Sequence, residues 1–231
     1  IINSKKSGLS TQRQLAIDNS SEPYIAIVDG DDILEPDFLS VLVNEIEEYD
    51  FDALQGREVS YDAKGYFEKA MGAVNSQITF HNKPKETNMV GRPSLYKANA
   101  LKKCGFDSFF DGVGDEDTDL SIRMEYNGFR QGFGSGLTNR KQTVGFVDSF
   151  KKFRKYGRGD ARIIYKYPEK RKKLFFHLMI RYPIIRMFKS LFSKNFIYAP
   201  VFSFIGIVRS YYMVINFLPL IIQKPKFKKY K

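Results

Sequence analysis

The sequence has few of the residue types that build disulfide-linked or histidine-rich sites. It contains one cysteine, Cys104, two histidines, His81 and His177, and no tryptophan. A single cysteine cannot form an intramolecular disulfide and is typical of a reducing compartment. Two isolated histidines exclude a histidine-rich metal site, and we interpret both as ordinary polar or packing residues. The sequence also lacks a basic start followed by an apolar stretch and a small-residue cleavage site, so we expect no signal peptide.

The charge of the chain is unevenly distributed. Its 37 Lys and Arg outnumber 26 Asp and Glu, which gives a net charge of +11 over 231 residues. The acidic residues cluster before residue 126, whereas dense basic runs occupy residues 151–155, 170–173 and 224–231. This asymmetry favours a negatively charged partner. The basic runs adjoin Phe- and Ile-rich stretches rather than a nucleic-acid-binding motif, so we expect an anionic membrane surface and no nucleic acid.

The first acidic group consists of Asp29, Asp31 and Asp32, and it follows an apolar run. Residues 24–28 predict a buried parallel strand. Open α/β sheets bind ligands at the carboxyl ends of such strands. Two oxygen donors one residue apart could hold a divalent cation against a diphosphate. Asp-Gly is also ordinary turn chemistry, so the group alone leaves both interpretations open.

The second acidic group consists of Asp115, Glu116, Asp117 and Asp119, where a helical pattern begins. A carboxylate there could act as a general base. The alternative is that acidic residues simply favour the positive end of the helix dipole. Asp119 is spaced to brace the helix by pairing with Arg123 at i+4.

Periodicity and turn residues predict a chain of alternating helices and strands. Helices are expected over residues 10–19, after Pro36 and over residues 116–127; strands are expected over residues 51–61, at the start of 94–104 and within 129–147. Residues 66–90 carry no clear pattern. The composition shifts near residue 150. We therefore predict an α/β domain over residues 1–150 and a basic, membrane-associating helical region over residues 151–231.

The spacing around both acidic groups resembles that of family 2 glycosyltransferases. The residues that carry the resemblance are Gly8-Leu9-Ser10, Arg13, Ala16, Asp29-Gly30-Asp31-Asp32, Pro36, Phe38, Gly105-Phe106-Asp107, Gly114, Glu116 to Leu120, Arg123 and Gly128. It covers roughly residues 3 to 160, and the two groups together make it specific. The resemblance implies a GT-A-like (Rossmann-like) mixed sheet flanked by helices, followed here by a C-terminal basic and apolar helical region.

The resemblance also implies an activity. The enzyme would move a sugar, with inversion, from a nucleotide-diphosphate sugar to a hydroxyl of a glycan, polysaccharide or lipid-linked acceptor. Asp29 and Asp31 would face the donor's ribose and the Mg²⁺ or Mn²⁺ on its diphosphate. Asp117 would be the base, and Glu116 would touch the acceptor or position the loop.

Two arginines are expected at the donor phosphates by the same resemblance. An equal alternative for Arg13 is a place on a solvated helix face. An equal alternative for Arg158 is a place in a loop that ends a basic surface helix. The family usually has Asn after the first arginine, where this chain has Gln14. The Gln-x-x-Arg-Trp of processive synthases is missing, which argues for one sugar per encounter. The strand, nucleotide-binding loop and helix that open family members are also missing, so we expect this chain alone to bind nucleotide poorly.

Two other functions remain open from the sequence. The Asp29-Gly30-Asp31 segment also resembles the nucleophile loop of haloacid-dehalogenase-like phosphatases. The basic, aromatic C-terminal third also permits a non-catalytic membrane-binding module.

The apolar stretches over residues 174–192 and 196–222 predict membrane association. The second is long enough to cross a core about 30 Å thick. Arg209 near its middle would cost about 2.5–3.5 kcal/mol on insertion, and prolines interrupt it. We therefore expect helices that lie in the interface or form a hairpin at the cytoplasmic face, with basic flanks on that side. Packing as ordinary core is the alternative.

Overall fold

The computed structural model describes residues 8–61, 63–79, 83–141, 145–193 and 196–227. His81 and the last basic residues, 228–231, lie outside them. The strands are β1 (Tyr24–Ile27), β2 (Asp32–Leu34), β3 (Ala53–Tyr61), β4 (Lys85–Glu86), β5 (Ser94–Lys97) and β6 (Gln131–Lys141). The helices are α1 (Leu9–Asp18), α2 (Phe38–Tyr49), α3 (Tyr66–Thr79), α4 (Ala98–Cys104), α5 (Glu116–Tyr126), α6 (Phe146–Lys166), α7 (Arg171–Phe176), α8 (Arg186–Leu191) and α9 (Ala199–Gln223).

A mixed sheet forms the centre of the α/β part. Its six strands run in the order β1-β5-β3-β6-β2, with β4 also paired to β6. β3 and β6 are parallel, and the other pairs are antiparallel. Helix α2 covers one face, where Leu42 packs with Leu54. Helices α1, α4 and α5 cover the other face through Ile17, Leu101 and Leu120. The predicted mixed sheet flanked by helices is therefore confirmed.

The strand before the first acidic group differs from its prediction. β1 is not a buried parallel strand: it pairs antiparallel with β5, and it is an edge of the sheet within the described residues. Its residues are apolar because both of its faces contact the core. Ile25 and Ile27 pack on the cluster under α1, α4 and α5, and Tyr24 packs on the cluster under α2. The apolar run thus indicated two-sided packing but not the direction of pairing.

Strand β6 is rich in glycine because helix α2 lies close against it. A Cβ atom at Gly134 would lie 2.5 Å from a methyl carbon of Leu42, closer than carbon atoms can approach. The glycines therefore permit the helix to pack directly on the strand, and they explain why residues 129–147 lack the alternation of an ordinary strand.

The C-terminal helices share a core with the α/β part. Helix α6 runs through the predicted boundary at residue 150. Met71 of α3, Phe153 of α6 and Val201 of α9 belong to one buried cluster. At Gly157 helices α6 and α9 approach so closely that a Cβ would lie 2.3 Å from the Arg209 carbonyl oxygen. The division into domains at residue 150 stays a prediction; within the described residues, helices α6 and α9 share a buried cluster with α3.

Helix α9 is two-sided. Its buried side includes Phe202, Ile205 and Met213, as the core alternative requires. Its other side is an exposed apolar stripe, consisting of Ile207, Tyr211, Val214, Ile215, Leu218, Ile221 and Ile222. Within the described residues, the segment Phe196–Gln223 is one helix whose length and composition would suit a membrane span, and 33% of its apolar window is buried.

Candidate active site

The first acidic group forms a tight turn between β1 and β2. The Asp32 amide donates to the Asp29 carbonyl over 3.1 Å, and the Asp29 amide donates to the Asp32 carboxylate over 3.2 Å. One carboxylate oxygen from each of Asp29, Asp31 and Asp32 lies within 4.8 Å of the others. The Asp31 side chain is 63% exposed, whereas that of Asp32 is fully buried. Burial raises the pKa of Asp32, and the Arg140 guanidinium offsets part of the shift.

Arg140 contacts every member of the first acidic group. The β2–β6 register places it directly opposite Asp32. Its guanidinium nitrogens lie 3.1 Å from Asp29, 3.6 Å from Asp31 and 2.8 Å from Asp32. It also donates to the buried Glu58 of β3 over 3.0 Å. Burial lowers the pKa of Arg140, but these carboxylates outweigh burial and raise it overall.

Two further arginines join the first acidic group to the second. Arg13 of α1 donates to Asp29 over 3.2 Å and to Glu116 over 2.9 Å, while its guanidinium lies 5.5 Å from the centre of the Phe106 ring. Arg92 donates to both carboxylate oxygens of Asp29, over 2.8 and 2.7 Å. Its Nε lies 4.0 Å from the Asp117 carboxylate. The two acidic groups, distant in sequence, are thus side by side.

Each acid of the second acidic group has a different environment. Three are buried and paired with cations: Glu116 with Arg13 at 2.9 Å, Asp119 with Arg123 and Lys166 at 2.7 Å, and Asp115 with Arg209 at 3.3 Å. Asp117 is 21% exposed; its carboxylate accepts a bond from the Thr118 amide and is 4.0 Å from Arg92. Asp117 is therefore the acid of this group that is least committed to the fold. The predicted pairing of Asp119 with Arg123 is confirmed.

Helix α6 brings Lys152 and Tyr156 near the acidic groups, rather than Arg158, which was predicted to lie at the donor phosphates. Burial and the nearby charge of Arg140 lower the pKa of Lys152. Burial raises the pKa of Tyr156, and Arg92 partly offsets that shift. The Tyr156 ring packs against Gly114, just before the second acidic group, where a Cβ would lie 2.6 Å from the ring. Lys152, one helical turn earlier, has its ammonium 5.9 Å from the centre of the same ring. Arg158 lies about 200° further round the helix from Tyr156 and is exposed, so the structure does not bring it to the cluster.

The predicted site residues Arg13, Asp29, Asp31, Glu116 and Asp117 are brought together, but their roles stay predictions. The buried, paired carboxylate of Glu116 fits the alternative in which this residue positions the loop. Sequence reasoning missed other residues of the cluster, namely Glu58, Arg92, Arg140, Lys152 and Tyr156. Arg92 stands between Gly91 and Pro93, two residues that interrupt helices and strands, whereas nothing local marks Arg140.

Arg209 proves to be an ion-pair partner rather than a charge isolated in an apolar helix. It donates to Asp160 of α6 over 2.8 Å, lies 3.3 Å from Asp115, and its guanidinium lies 5.5 Å from the centre of the Tyr156 ring. These contacts fasten α9 to the second acidic group.

Replacing Arg209 with Gln should therefore weaken the fold. Two nearly buried carboxylates, Asp115 and Asp160, would lose their charged partner, so we expect the free energy of unfolding to fall by about 1.5–3 kcal/mol in urea titrations. Arg181→Gln, which removes an exposed guanidinium from the same helical region, is the control. Equal stability of the two variants would contradict this role of Arg209.

The first acidic group has the donor chemistry for a hard divalent cation. Mg²⁺ and Mn²⁺ prefer oxygen ligands, and three carboxylates converge here. Asp31 is the most accessible of them. The residues present therefore fit such an ion, which Asp29 and Asp31 would hold.

Comparison with known proteins identifies the family. Residues 24–223 match the family model for glycosyl transferase family group 2. The chain belongs to this family. The predicted recognition is thereby confirmed, and both acidic groups lie within the matched region. No curated protein sequence matches the chain.

Several solved structures of S. aureus TarS are similar to this glycosyl transferase family member at low identity. One is 16% identical with a TM-score of 0.43, and the match covers 62% of this chain and 26% of that one. TarS 1-349 in complex with UDP-GlcNAc is 12% identical with a TM-score of 0.49, covering 96% and 74%. The complex of TarS 1-349 with UDP is 14% identical with a TM-score of 0.47, covering 96% and 73%. The chain thus spans about a quarter of the longest of these TarS chains.

Proposed function

We propose that the protein transfers one sugar per encounter, with inversion, from a nucleotide-diphosphate sugar to a hydroxyl of a glycan, polysaccharide or lipid-linked acceptor. The observation that carries this proposal is the junction between the two acidic groups. Arg92 lies 2.7 Å from Asp29 and 4.0 Å from Asp117. The first acidic group would then bind the donor diphosphate next to the carboxylate base of the second group, so that both act on the same sugar.

In this mechanism Asp117 accepts the proton of the acceptor hydroxyl as that oxygen attacks the sugar. It suits this role because its carboxylate is accessible, whereas its neighbours are buried in ion pairs. A divalent cation held by Asp29 and Asp31 would supply positive charge to the leaving diphosphate. Glu116, fixed by Arg13, would set the position of the loop that carries the base.

Donor phosphates would meet several guanidinium groups in this site. Arg13 and Arg92 already lie at the junction, and guanidinium forks pair well with phosphate oxygens. Arg158 could reach a donor only from the exposed side of α6. The proposal therefore gives Arg13 and Arg92 the larger share of donor binding.

The phosphatase alternative is less compatible with the geometry. It requires Asp29 to attack phosphorus, yet its two carboxylate oxygens accept bonds from Arg13, Arg92 and Arg140. Attack on phosphorus would require the attacking oxygen of Asp29 to give up its guanidinium bonds.

The test is to incubate the full-length protein with a panel of UDP- and GDP-sugars plus membrane and glycan extracts, and to measure sugar incorporation and nucleotide release. Incorporation that depends on one donor is the expected result. A protein that binds no donor of the panel and yet hydrolyses p-nitrophenyl phosphate would overturn the proposal in favour of the phosphatase. Neither activity, with intact vesicle binding, would favour a non-catalytic membrane module.

We further propose that the protein works at the cytoplasmic face of a membrane. The exposed apolar stripe of α9 has a counterpart along the helical segment from α7 to α8, which includes Phe176, Ile180, Ile184 and Phe188. In each stripe the exposed apolar residues recur at intervals of three or four, so each stripe forms one side of a helix. Exposed basic residues adjoin them, namely Lys172, Lys173, Arg181, Lys189, Lys224 and Lys226. Apolar sides bordered by cations are typical of helices that lie in an anionic interface.

Vesicle flotation would test this membrane role. The double variant Ile207→Gln, Leu218→Gln should bind vesicles containing phosphatidylglycerol at least tenfold more weakly, because each change removes about 1 kcal/mol or more of apolar burial. The matched control is Leu39→Gln, Met89→Gln, which alters similarly exposed apolar residues outside the C-terminal helices. Equal binding by both variants would remove the membrane from this proposal. So would recovery of all the wild-type protein in the lipid-free fraction after flotation with vesicles.

A further inference from the structure

Arg140 occupies the position at which a cation would neutralise the first acidic group. Its guanidinium lies between 2.8 and 3.6 Å from carboxylate oxygens of Asp29, Asp31 and Asp32. The Arg140 side chain is only 15% exposed, so its surroundings hold it in this position. The β2–β6 register fixes its backbone opposite Asp32.

A second contact holds this guanidinium in place. Glu58 of β3 is 6% exposed on its side chain and accepts a bond from Arg140 Nη1 over 3.0 Å. Arg140 is therefore clamped between a buried carboxylate on one side and the first acidic group on the other. Arg13 and Arg92 differ from it, because both reach Asp29 and then extend to the second acidic group.

A divalent cation needs the same oxygen atoms. Carboxylate oxygens that accept bonds from a guanidinium have fewer lone pairs to offer a metal, and the guanidinium charge repels the incoming ion. This competition is strongest where one residue contacts all the candidate ligands, which here is Arg140.

We propose that Arg140 is a built-in counter-ion of the first acidic group, which competes with the divalent cation for Asp29, Asp31 and Asp32. It keeps the three carboxylates together when no cation is bound and sets a low affinity for the free metal. This inference rests on the proposed function, since it assumes that the group binds a divalent cation in the working enzyme.

Binding of Mn²⁺ alone, followed by electron paramagnetic resonance of the free ion, tests the inference without any measurement of activity. Arg140→Gln should bind Mn²⁺ at least tenfold more tightly than the wild type. Arg140→Lys keeps the charge but loses the fork that reaches several oxygens, so its affinity should fall between the two. Lys97→Gln is the matched control: it removes one positive charge from the pair Asp50 and Asp52, elsewhere on the surface, and should leave Mn²⁺ affinity unchanged.

A second variant protects the test against misfolding. Removing Arg140 alone takes one positive charge away from the buried Glu58 carboxylate. The double variant Arg140→Gln, Glu58→Gln removes both charges of that pair. The double variant should also bind Mn²⁺ at least tenfold more tightly. Equal or weaker Mn²⁺ binding by the folded variants, while the wild type binds the ion, would overturn the role of Arg140 and leave the metal-dependent transferase standing. Failure of wild type and all variants to bind Mn²⁺ would overturn both.

Discussion

The Asp117→Asn variant is expected to transfer sugar about a hundredfold or more slowly than the wild type, with donor binding preserved. The substitution keeps the shape of the side chain and removes its ability to accept a proton. Among the residues that the structure describes, the cationic atom nearest to the Asp117 carboxylate is Nε of Arg92, 4.0 Å away, so Asp117 forms no close ion pair with them. The loss should therefore appear in kcat, and the thermal unfolding temperature should change little.

Steady-state kinetics with a labelled donor, together with a direct donor-binding titration, would separate these effects. Glu125→Gln makes the same chemical change on helix α5, at a carboxylate that pairs with Lys170 on the surface, and should leave kcat unaltered. If Asp117→Asn retains near wild-type transfer, Asp115 or Glu116 becomes the next candidate for the base, despite the ion pairs that hold them.

Asp31→Asn is expected to lower kcat by about two orders of magnitude or more, because the leaving diphosphate loses part of its counter-charge. Of the first acidic group, Asp31 is the member whose loss should disturb the fold least. Its side chain is 63% exposed and lies 3.6 Å from Arg140, whereas Asp32 is fully buried and Asp29 is bonded to three arginines. The defect should therefore be catalytic rather than structural.

The measurement is kcat at saturating donor, repeated with Mg²⁺ or Mn²⁺ and with excess EDTA. Asp37→Asn, an exposed acid just before helix α2, is the control and should behave as the wild type. Full transfer in excess EDTA would show that the protein needs no divalent cation, and it would remove Asp29 and Asp31 as metal ligands.

Local sequence was sufficient to predict those elements whose signals lie within a few residues. Helices α1 and α5 began and ended close to their predicted positions. The helical spacing of apolar residues, and for α5 the acidic first turn and the Gly128 stop, act over one or two turns. The pairing of Asp119 with Arg123 followed from helix geometry alone. The mixed sheet flanked by helices was predicted through the resemblance carried by both acidic groups.

The apolar run before Asp29 shows what local sequence does not predict, namely the direction in which a strand pairs. It predicted a strand with two covered faces, and β1 has them. Whether a strand pairs parallel or antiparallel depends on which other segment lies beside it, and its own residues do not encode that. The sheet places β5 there, so the pairing is antiparallel. Arg209 is a similar case: as sequence it is a costly charge in an apolar helix, and only the packing of α9 on α6 supplies Asp160.

The sequence by itself therefore determined the family, the two acidic groups and the candidate base and metal ligands, since these lie in short motifs of fixed spacing. The tertiary structure alone decided how those motifs meet. Arg92 and Arg140 are 63 and 111 residues from Asp29 along the chain, yet both contact its carboxylate. Strand register and helix packing bring them there, and these depend on contacts between distant residues that no local pattern records.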